Sequence, residues 1–471
     1  MNSRKTHKIP LNGADCTMLA FDHQMRRLGF SGNQAQIILG FDRALPMEAL
    51  SRRIQETAAA FPVISGVIRR GLFNRQPYWK VKNGAGNGKP PPFPRLIRHE
   101  AADDKEKQAQ LRRRILNQPL KTGQGELVRF DWIEMNDSAG ESAGELIMTW
   151  SHMLMDAHGA EIFLALLGGG LSDERIYSDA GRLSESYTRR LARSGQKQQW
   201  EAAKPSFAHV DELAGQPPVS LYTQADPPPP SRFDYQVCSF TAGETRLIRQ
   251  FSADRCGFLN ESACYMSAAM AAFHRFTRSR QTPPARYVVP LSVDLRKKGS
   301  LLPLFTNQSA TLLYSFLPET LDRFDAILEA FNRQTRTAIQ EDLITSNVNA
   351  MELGRILPTW LYARKIKQAF KGEIASVVFA NPGATSAYLS GFMGLEVQYQ
   401  HHVPAIVVPP GLGVVFYTFG ERLFITLVHV ESLISPDEAS SLTGAIKDNL
   451  IAGLNSGLTD KAGIRGNHGI Q

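Results

Sequence analysis

The sequence has 471 residues, of which 43% are hydrophobic and 21% are charged, and its formal net charge is +8. A chain of this length is longer than a single hydrophobic core usually supports, so we expect two domains of roughly 200 residues each, with room for a cleft between them. No apolar run approaches the roughly 20 residues that a transmembrane helix needs, and no apolar segment typical of a signal peptide follows the basic start. The sequence therefore predicts a soluble, cytoplasmic protein.

The positive charge is spread over short clusters, including LRRRIL, YTRRLARSGQK and LRKKG, and no long basic tail is present. A nucleic-acid partner is not favoured by this pattern. Such a surface suits any anionic partner, including phosphate groups, an acidic protein or a membrane surface, and it equally suits a solvated surface with no dedicated partner. Four cysteines (Cys16, Cys238, Cys256 and Cys264) lack the spacing of a disulfide framework or a zinc site, so we expect no metal.

Strands and helices alternate in the first part of the chain. The patterns predict a helix at ADCTMLAFDHQMRRLG, a strand at NQAQIILGFDR and a helix at LPMEALSRRIQETAAAFPVI. Further along, they predict strands at GVIRRGLF and PYWKVK, a charged helix at DDKEKQAQLRRRILNQPL, and paired strands at ELVRFDWIEM and ELIMTWSH. A buried helix is predicted next, at GAEIFLALLGGG.

A proline-rich stretch, ADPPPPSR, marks the expected domain boundary, because successive prolines form a stiff extended spacer. We therefore predict one subdomain over residues 1–224, a linker over 225–233 and a second subdomain over 234–471. The second begins with a strand at FDYQVCSF, followed by helices at TAGETRLIRQFSADRCGF and NESACYMSAAMAAFHRFTRSR. Strands at ARYVVPLSVDLR, NQSATLLYSFLP, ASVVFANPG and GLGVVFYTFGERLFITLVHVE and a helix at SPDEASSLTGAIKDNLIAGL complete the pattern.

The stretch SHMLMDAHG, at residues 151–159, carries the candidate chemistry. His152 ends a predicted strand and could act as a general base, because the usual pKa of histidine lies near neutrality. A lone histidine is more often a packing residue. Asp156 follows four residues later, and the small residues Ala157 and Gly159 could expose backbone N–H groups at a helix start, where they would stabilise an oxyanion.

The surrounding stretches resemble the superfamily of chloramphenicol-acetyltransferase-like enzymes, which includes condensation domains, bacterial wax ester synthases and alcohol acyltransferases. Its hallmark HHxxxDG or HxxxDG motif is matched within SHMLMDAHG. PLNGADCTMLAFD, LNQPLKTGQGELVRFDWIE, GFLNESACYMSAAMAAFHRF and VVPLSVDLRKKGSLLPLFTNQSATLLYSFLP are similar to further family segments, in the expected order. The resemblance therefore spans nearly the whole chain.

The resemblance implies a role for each matching residue. His152 would be the catalytic base, and Asp156 would be a structural aspartate that pairs with Arg296 of the VDLR segment. Two departures matter: Ser151 replaces the first histidine of the longer motif, and Ala157 replaces the glycine after the aspartate, so the backbone donor geometry there is open.

Other polar residues near these motifs could either contribute to the site or have a purely structural role. Asn307 falls at the family's GN position, with Thr306 replacing the glycine, and either lines the site or lies outside it. His158 is read as a solvated histidine at a helix start rather than a substrate contact. The pair His401 and His402 lacks a following aspartate, so we expect surface or interface histidines.

Together, the resemblance implies an α/β fold of two chloramphenicol-acetyltransferase-like subdomains in a V-shaped pseudo-dimer with a central tunnel. It implies an acyltransferase that moves an acyl group from acyl-CoA or an acyl-carrier thioester to a hydroxyl, with no bound cofactor. We favour ester formation, since the chain carries no recognisable adenylation or carrier domain. The alternatives are a standalone condensation enzyme that forms an amide with an amine acceptor, and a noncatalytic module that binds an acidic carrier protein.

Overall fold

The computed structural model describes residues 6–71, 76–82, 93–100, 104–136, 142–171, 195–222, 232–256, 261–280, 286–297, 299–384 and 388–465. The helices in these ranges are α1 (Gly13–Arg27), α2 (Met47–Ala60), α3 (Lys105–Asn117), α4 (Ala157–Gly168), α5 (Gln196–Leu213), α6 (Ala242–Cys256), α7 (Glu261–Ser279), α8 (Phe324–Gln340), α9 (Leu343–Gly354), α10 (Thr359–Gln368) and α11 (Pro436–Arg465). None of them combines the length and the apolar character needed to cross a bilayer.

Strands of the described residues form four sheets. They are β1 (Thr6–Pro10), β2 (Gln34–Phe41), β3 (Val67–Arg70), β4 (Pro77–Lys82), β5 (Arg95–His99), β6 (Val128–Asn136), β7 (Ser142–Ser151), β8 (Phe233–Ser239), β9 (Tyr287–Asp294), β10 (Ser309–Phe316), β11 (Val378–Ala384), β12 (Gly391–Phe392), β13 (Leu395–Glu396), β14 (Tyr399–Val403), β15 (Leu412–Phe419) and β16 (Arg422–Val430). The two large sheets have the orders β14-β2-β7-β6-β5 and β10-β9-β11-β15-β16-β8, and β1-β4-β3 and β12-β13 form small sheets. The predicted mixed α/β architecture is confirmed.

The five-stranded sheet is covered on both faces, which is why its central strands are buried along most of their length, including polar residues such as Gln36 and Arg129. All eight residues of β2 are buried. One face packs against α2 and α4, and the other packs against α3 and the end of α1. Because the sheet is buried, the end of β7 is a rigid support for the residues that follow it.

The six-stranded sheet has its own core, formed mainly with α7, α8 and α11. In this sheet, β11 runs parallel to both of its neighbours, β15 and β9. The remaining strand pairs are antiparallel. Most of the expected linker, residues 225–231, lies outside the described residues, and β8 already begins at Phe233. The proposed domain boundaries remain a prediction.

The two halves are joined by a strand and a loop that cross between them. β14 belongs to the second half of the sequence but pairs antiparallel with β2 of the first. The loop between β9 and β10 also reaches the first half, where Phe305 contacts the rings of Phe61 and Phe163 at centroid distances of 5.1 and 5.7 Å. This loop carries two predicted site residues, Arg296 and Asn307, to the end of β7.

Candidate active site

His152 is the first residue after β7. The last residue of that strand, Ser151, pairs with Gln34 of β2, and the His152 backbone N–H then donates to the Asn33 carbonyl at 3.0 Å. A tight turn follows, with the Leu154 N–H bonded to the Ser151 carbonyl at 2.9 Å. The turn ends where α4 begins, so the His152 side chain is held between a buried strand and a helix start.

Hydrogen bonds to Asn307 set the tautomer of the His152 ring. His152 Nδ1 lies 3.0 Å from Asn307 Oδ1, and Asn307 Nδ2 donates to the His152 carbonyl and to Asp15 Oδ1, both at 2.9 Å. Because the amide nitrogen has two acceptors, its oxygen is the atom that faces the ring, and an amide oxygen only accepts. The proton therefore lies on Nδ1, and Nε2 keeps its lone pair.

Burial lowers the pKa of His152 below the usual value of 6.5, and the negative charge of Asp156 partly opposes this shift. The imidazole is therefore neutral at neutral pH. A neutral ring with a free Nε2 is the form that can accept a proton from a substrate.

Asp156 joins three parts of the structure. It is the N-cap of α4, where Oδ1 accepts from the Gly159 N–H at 2.9 Å. Its two oxygens also accept from Arg296, Oδ2 from Nη1 at 2.9 Å and Oδ1 from Nη2 at 3.0 Å, and Oδ2 accepts from the Gln308 N–H at 2.9 Å. The carboxylate therefore points at the second half of the chain and holds the helix start against it.

The Arg296 side chain is only 3% exposed, and two further oxygens bind its guanidinium group. Nη2 donates to the Pro303 carbonyl at 3.0 Å, and Nη1 donates to Asp294 Oδ1 at 3.2 Å. This bidentate geometry brings Arg296 and Asp156 together as the resemblance implies, and it fixes the β9–β10 loop beside His152.

Ala157 and Gly159, the two small residues after Asp156, have different environments. Ala157 is the first residue of α4, where alanine is a favourable helix residue, so this position does not require glycine. At Gly159, a Cβ atom would lie 2.5 Å from the carbonyl oxygen of Leu304, so glycine is needed for the close approach of the β9–β10 loop. The Gly159 N–H is already bound to Asp156 Oδ1, so it is not free to bind a substrate oxygen.

The comparisons with solved structures agree with this architecture. The first condensation domain of the CDA synthetase superposes with a TM-score of 0.67 at 13% identity and covers 95% of this chain and 96% of that chain. The trichothecene 15-O-acetyltransferase TRI3 from Fusarium sporotrichioides gives 0.66 at 11% identity, with 95% and 96% covered. The chain therefore has the same fold as these condensation-domain and acetyltransferase structures. No family model and no curated protein matches the sequence.

A third solved structure with this fold contains a bound acyl-CoA. A variant of the starter condensation domain of rhizomide synthetase in complex with C8-CoA gives a TM-score of 0.63 at 11% identity, and 95% of each chain is covered. The resemblance predicted from the sequence is thus confirmed for the fold.

In this chain, no group of three or more His, Cys, Asp or Glu side chains is arranged to hold a metal ion within the described ranges.

The sequence reasoning missed Asp15, a buried carboxyl group in the first turn of α1. Asp15 Oδ1 accepts from both the backbone N–H and the side-chain Nδ2 of Asn307, at 2.8 and 2.9 Å. Oδ2 accepts from the Asn12 N–H at 3.1 Å, and the Asn12 side chain accepts from the Asp15 N–H at 2.7 Å. This reciprocal pair is a capping box, and the N-x-x-D spacing in LNGAD is the signal that could have indicated it.

The start of α1 is also tied to α9 of the second half. The Gly13 N–H donates to Glu352 Oε1 at 2.6 Å, and Glu352 forms an ion pair with Arg355 at 3.0 Å. A Cβ at Gly13 would lie 2.5 Å from the Glu352 backbone nitrogen, so the two helices are in close backbone contact. Asp15 and Glu352 thus hold the same helix start through different partners.

The other three candidate histidines, His158, His401 and His402, have partners of their own outside the contacts of His152. His158 Nε2 lies 3.2 Å from the Ser300 carbonyl in the β9–β10 loop, so this partly buried ring contacts the second half rather than only solvent. His401 and His402 lie in β14 and are interface residues, not surface residues. His401 contacts Tyr417 of β15, and His402 pairs with Glu161 of α4 at 3.0 Å, because their side chains project to opposite faces of the strand.

Proposed function

We propose that this protein is an acyltransferase that moves an acyl group from a thioester donor to a hydroxyl acceptor, with His152 as the general base. The observation that carries the proposal is the state of the His152 ring. Asn307 accepts the proton on Nδ1, and burial keeps the ring neutral, so Nε2 is ready to take a proton.

The reaction proceeds without a covalent enzyme intermediate. His152 Nε2 removes the proton of the acceptor hydroxyl while the oxygen forms a bond to the thioester carbonyl carbon. The carbonyl oxygen becomes an oxyanion, for which the Ala157 N–H at the start of α4 is the proposed donor. As the oxyanion collapses, the carbon–sulfur bond breaks, and the thiolate takes the proton from the His152 imidazolium. The products are an ester and a free thiol.

The donor class rests on the fold relatives. A starter condensation domain with this fold binds C8-CoA, so we propose acyl-CoA or a phosphopantetheinyl carrier as the donor. The net charge of +8 suits the phosphates of either donor and an acidic carrier protein. We propose that donor and acceptor enter a tunnel between the two halves from opposite sides and meet at His152.

A hydroxyl acceptor is favoured over an amine by the chemistry of the base. A neutral amine is nucleophilic without proton removal, whereas a hydroxyl is a weak nucleophile that depends on an adjacent base. The preset lone pair on His152 Nε2 meets that requirement. TRI3, which has the same fold, is an O-acetyltransferase.

The test is to incubate the full chain with a panel of acyl-CoA and acyl-carrier donors and with candidate alcohols and amines. Free thiol release gives the rate, and mass spectrometry identifies the ester or amide. We expect acceptor-dependent thiol release with ester formation. Replacing the base, as in His152→Gln, should lower kcat by about 10²- to 10⁴-fold, while donor binding stays unchanged.

The matched control is His158→Gln, which changes a histidine six residues away that does not contact Asn307. This variant should keep a kcat close to that of the wild type. Acyl transfer at the wild-type rate by His152→Gln would refute the base assignment. Donor binding without turnover by the wild-type protein on every acceptor would favour the noncatalytic module, and amide products alone would favour the condensation enzyme.

A further inference from the structure

We propose that Asp15 is a positioning residue that acts through Asn307 to hold His152 in the Nδ1–H tautomer. The inference deepens the proposed function and rests on it for its kinetic consequences. The hydrogen bonds run in one direction, from His152 Nδ1–H to Asn307 Oδ1 and from Asn307 Nδ2–H to Asp15 Oδ1. Each bond fixes the orientation of the next group.

The Asp15 carboxyl group is surrounded by donors. Besides the contacts from Asn307 and Asn12, the Thr306 hydroxyl lies 3.1 Å from Oδ2 and itself accepts from Asn12 Nδ2 at 2.9 Å. A carboxylate satisfies every one of these donors, because it only accepts. These hydrogen bonds favour the ionised form of Asp15, whereas its burial disfavours that form.

That charge acts on the Asn307 amide. An amide whose two ends are nearly equal in size can rotate by half a turn, which would exchange its oxygen and nitrogen. The Asp15 carboxylate attracts the NH₂ end, so the oxygen stays directed at His152. With the reversed amide, Nδ2 would face the ring, Nδ1 would have to accept, and the proton would move to Nε2, where it blocks base catalysis.

Asp15 orients the Asn307 amide without an ionic partner of its own in the described part of the chain. Burial raises the pKa of Asp15 to about 7. The other titratable groups at this end of α1 include Cys16 and Tyr362, whose pKa values are raised by burial, and Arg70, whose pKa is lowered by burial. The Glu352–Arg355 pair of α9 lies at the same helix start. A change at Glu352 could disturb the start of α1 in the same way as a change at Asp15, because Glu352 binds the same helix start and burial raises its pKa as well. It is therefore the matched control.

The experiment measures the tautomer directly. The full chain is labelled with ¹⁵N-histidine, two-bond ¹H–¹⁵N spectra are recorded at pH 8, and the His152 signals are assigned by their loss in His152→Gln. We expect the Nδ1–H pattern in the wild type and in Glu352→Gln, and a mixed or Nε2–H pattern in Asp15→Asn. An unchanged pattern in Asp15→Asn, or the same change in both variants, would overturn the proposal.

Kinetics provide an independent readout. Asp15→Asn should lower kcat by about 10- to 100-fold, with little change in the KM for the donor, as expected for loss of an orienting partner. Since Asp15 acts through Asn307, the double variant Asp15→Asn/Asn307→Ala should be no slower than Asn307→Ala alone. A further, multiplicative loss in the double variant would contradict the proposed route.

A second variant guards against misfolding of Asp15→Asn. The titration of Asp15 should give the wild type an inflection near pH 7 in kcat/KM. Thr306→Val keeps the carboxyl group and Asn307 but removes one neutral donor to the carboxylate, so this inflection should move to higher pH. If the inflection stayed at the same pH in Thr306→Val, the assignment of that inflection to Asp15 would be contradicted. The tautomer spectra need no turnover, so absence of acyl transfer by the wild type would refute the proposed function and leave the Asp15 test intact.

Discussion

Arg296, from the loop after β9, binds Asp156, the N-cap of α4, with two nearly parallel hydrogen bonds of 2.9 and 3.0 Å. The two residues are 140 positions apart in the sequence and belong to different halves of the chain. Both side chains are largely buried, at 3% and 13% exposure. Taking such charges out of water is costly, and the bond geometry is what offsets that cost.

Removal of the arginine should therefore be strongly destabilising. In Arg296→Met, the Asp156 carboxylate stays buried but loses its cation, and we expect the free energy of unfolding to fall by about 3 to 5 kcal/mol. Urea unfolding followed by fluorescence measures this change. Because the same pair holds the helix start beside His152, activity should fall more than the folded fraction does.

Arg98→Met is the control for the arginine side chain itself. Arg98 binds Glu134 at the protein surface, where the Arg98 side chain is 61% exposed, and solvent screens such a pair so that it contributes little to stability. A loss in Arg296→Met no larger than that in Arg98→Met would contradict the role of the buried pair.

The second prediction concerns the small residues at the start of α4. Gly159→Ala should destabilise the protein by about 1 to 3 kcal/mol and lower kcat, because the new methyl group would meet the Leu304 carbonyl. Ala157→Gly introduces the glycine of the HxxxDG motif that the stretch SHMLMDAHG resembles. It should cost at most about 1 kcal/mol and leave kcat within a few-fold. Equal effects of the two variants on stability and kcat would argue against the close approach at Gly159.

Local patterns predicted the parts of the fold that are continuous in sequence. The alternating NQAQIILGFDR became β2 (Gln34–Phe41), and PYWKVK became β4 (Pro77–Lys82), because their side-chain periods match the structure that buries them. The patterns did not predict four helices, α5, α8, α9 and α10. Of these, α8 (Phe324–Gln340) has an apolar stripe at helical spacing that the same analysis could have found.

The site was predictable only in part, since its assembly depends on long-range contacts. The motif SHMLMDAHG and the resemblance pointed to His152, Asp156 and Arg296, and the structure brings these side chains to one place. Asn307 was left open, because an asparagine before a strand carries no sign of what its amide will contact. Asp15 was missed, because its partners are about 290 residues away and its capping-box spacing explains the residue without any role in catalysis.

The third prediction is the pH dependence of the base. In Asp15→Asn, where position 15 no longer titrates, kcat/KM should fall towards acid pH along a single-proton limb centred below 6.5, because burial lowers the pKa of His152. The wild type should show an additional inflection near pH 7 from Asp15. A limb centred above 6.5 in Asp15→Asn would mean that the imidazolium, not the neutral ring, is favoured in the site.

The fourth prediction links Asp15 to stability. Its pKa is about 7 in the folded protein and 3.8 in a reference carboxyl group, so between these pH values the folded chain holds a proton that the unfolded chain has released. The contribution of Asp15 to the free energy of unfolding is then present below pH 3.8 and decreases as the pH rises, by about 1.4 kcal/mol per pH unit, until it levels off above pH 7. Other buried carboxyl groups with raised pKa values, such as Glu352 and Glu373, add slopes of the same sign, and only the part due to Asp15 disappears in Asp15→Asn.

The measurement is the difference in unfolding free energy between Asp15→Asn and the wild type, from urea titrations at several values between pH 4.5 and 8. Subtraction cancels the titration of the groups that the two proteins share. The difference should move in favour of the variant as the pH rises to 7 and then stay constant. A flat difference across the whole range would show that the Asp15 carboxyl group is ionised throughout and that its hydrogen bonds offset the cost of burial.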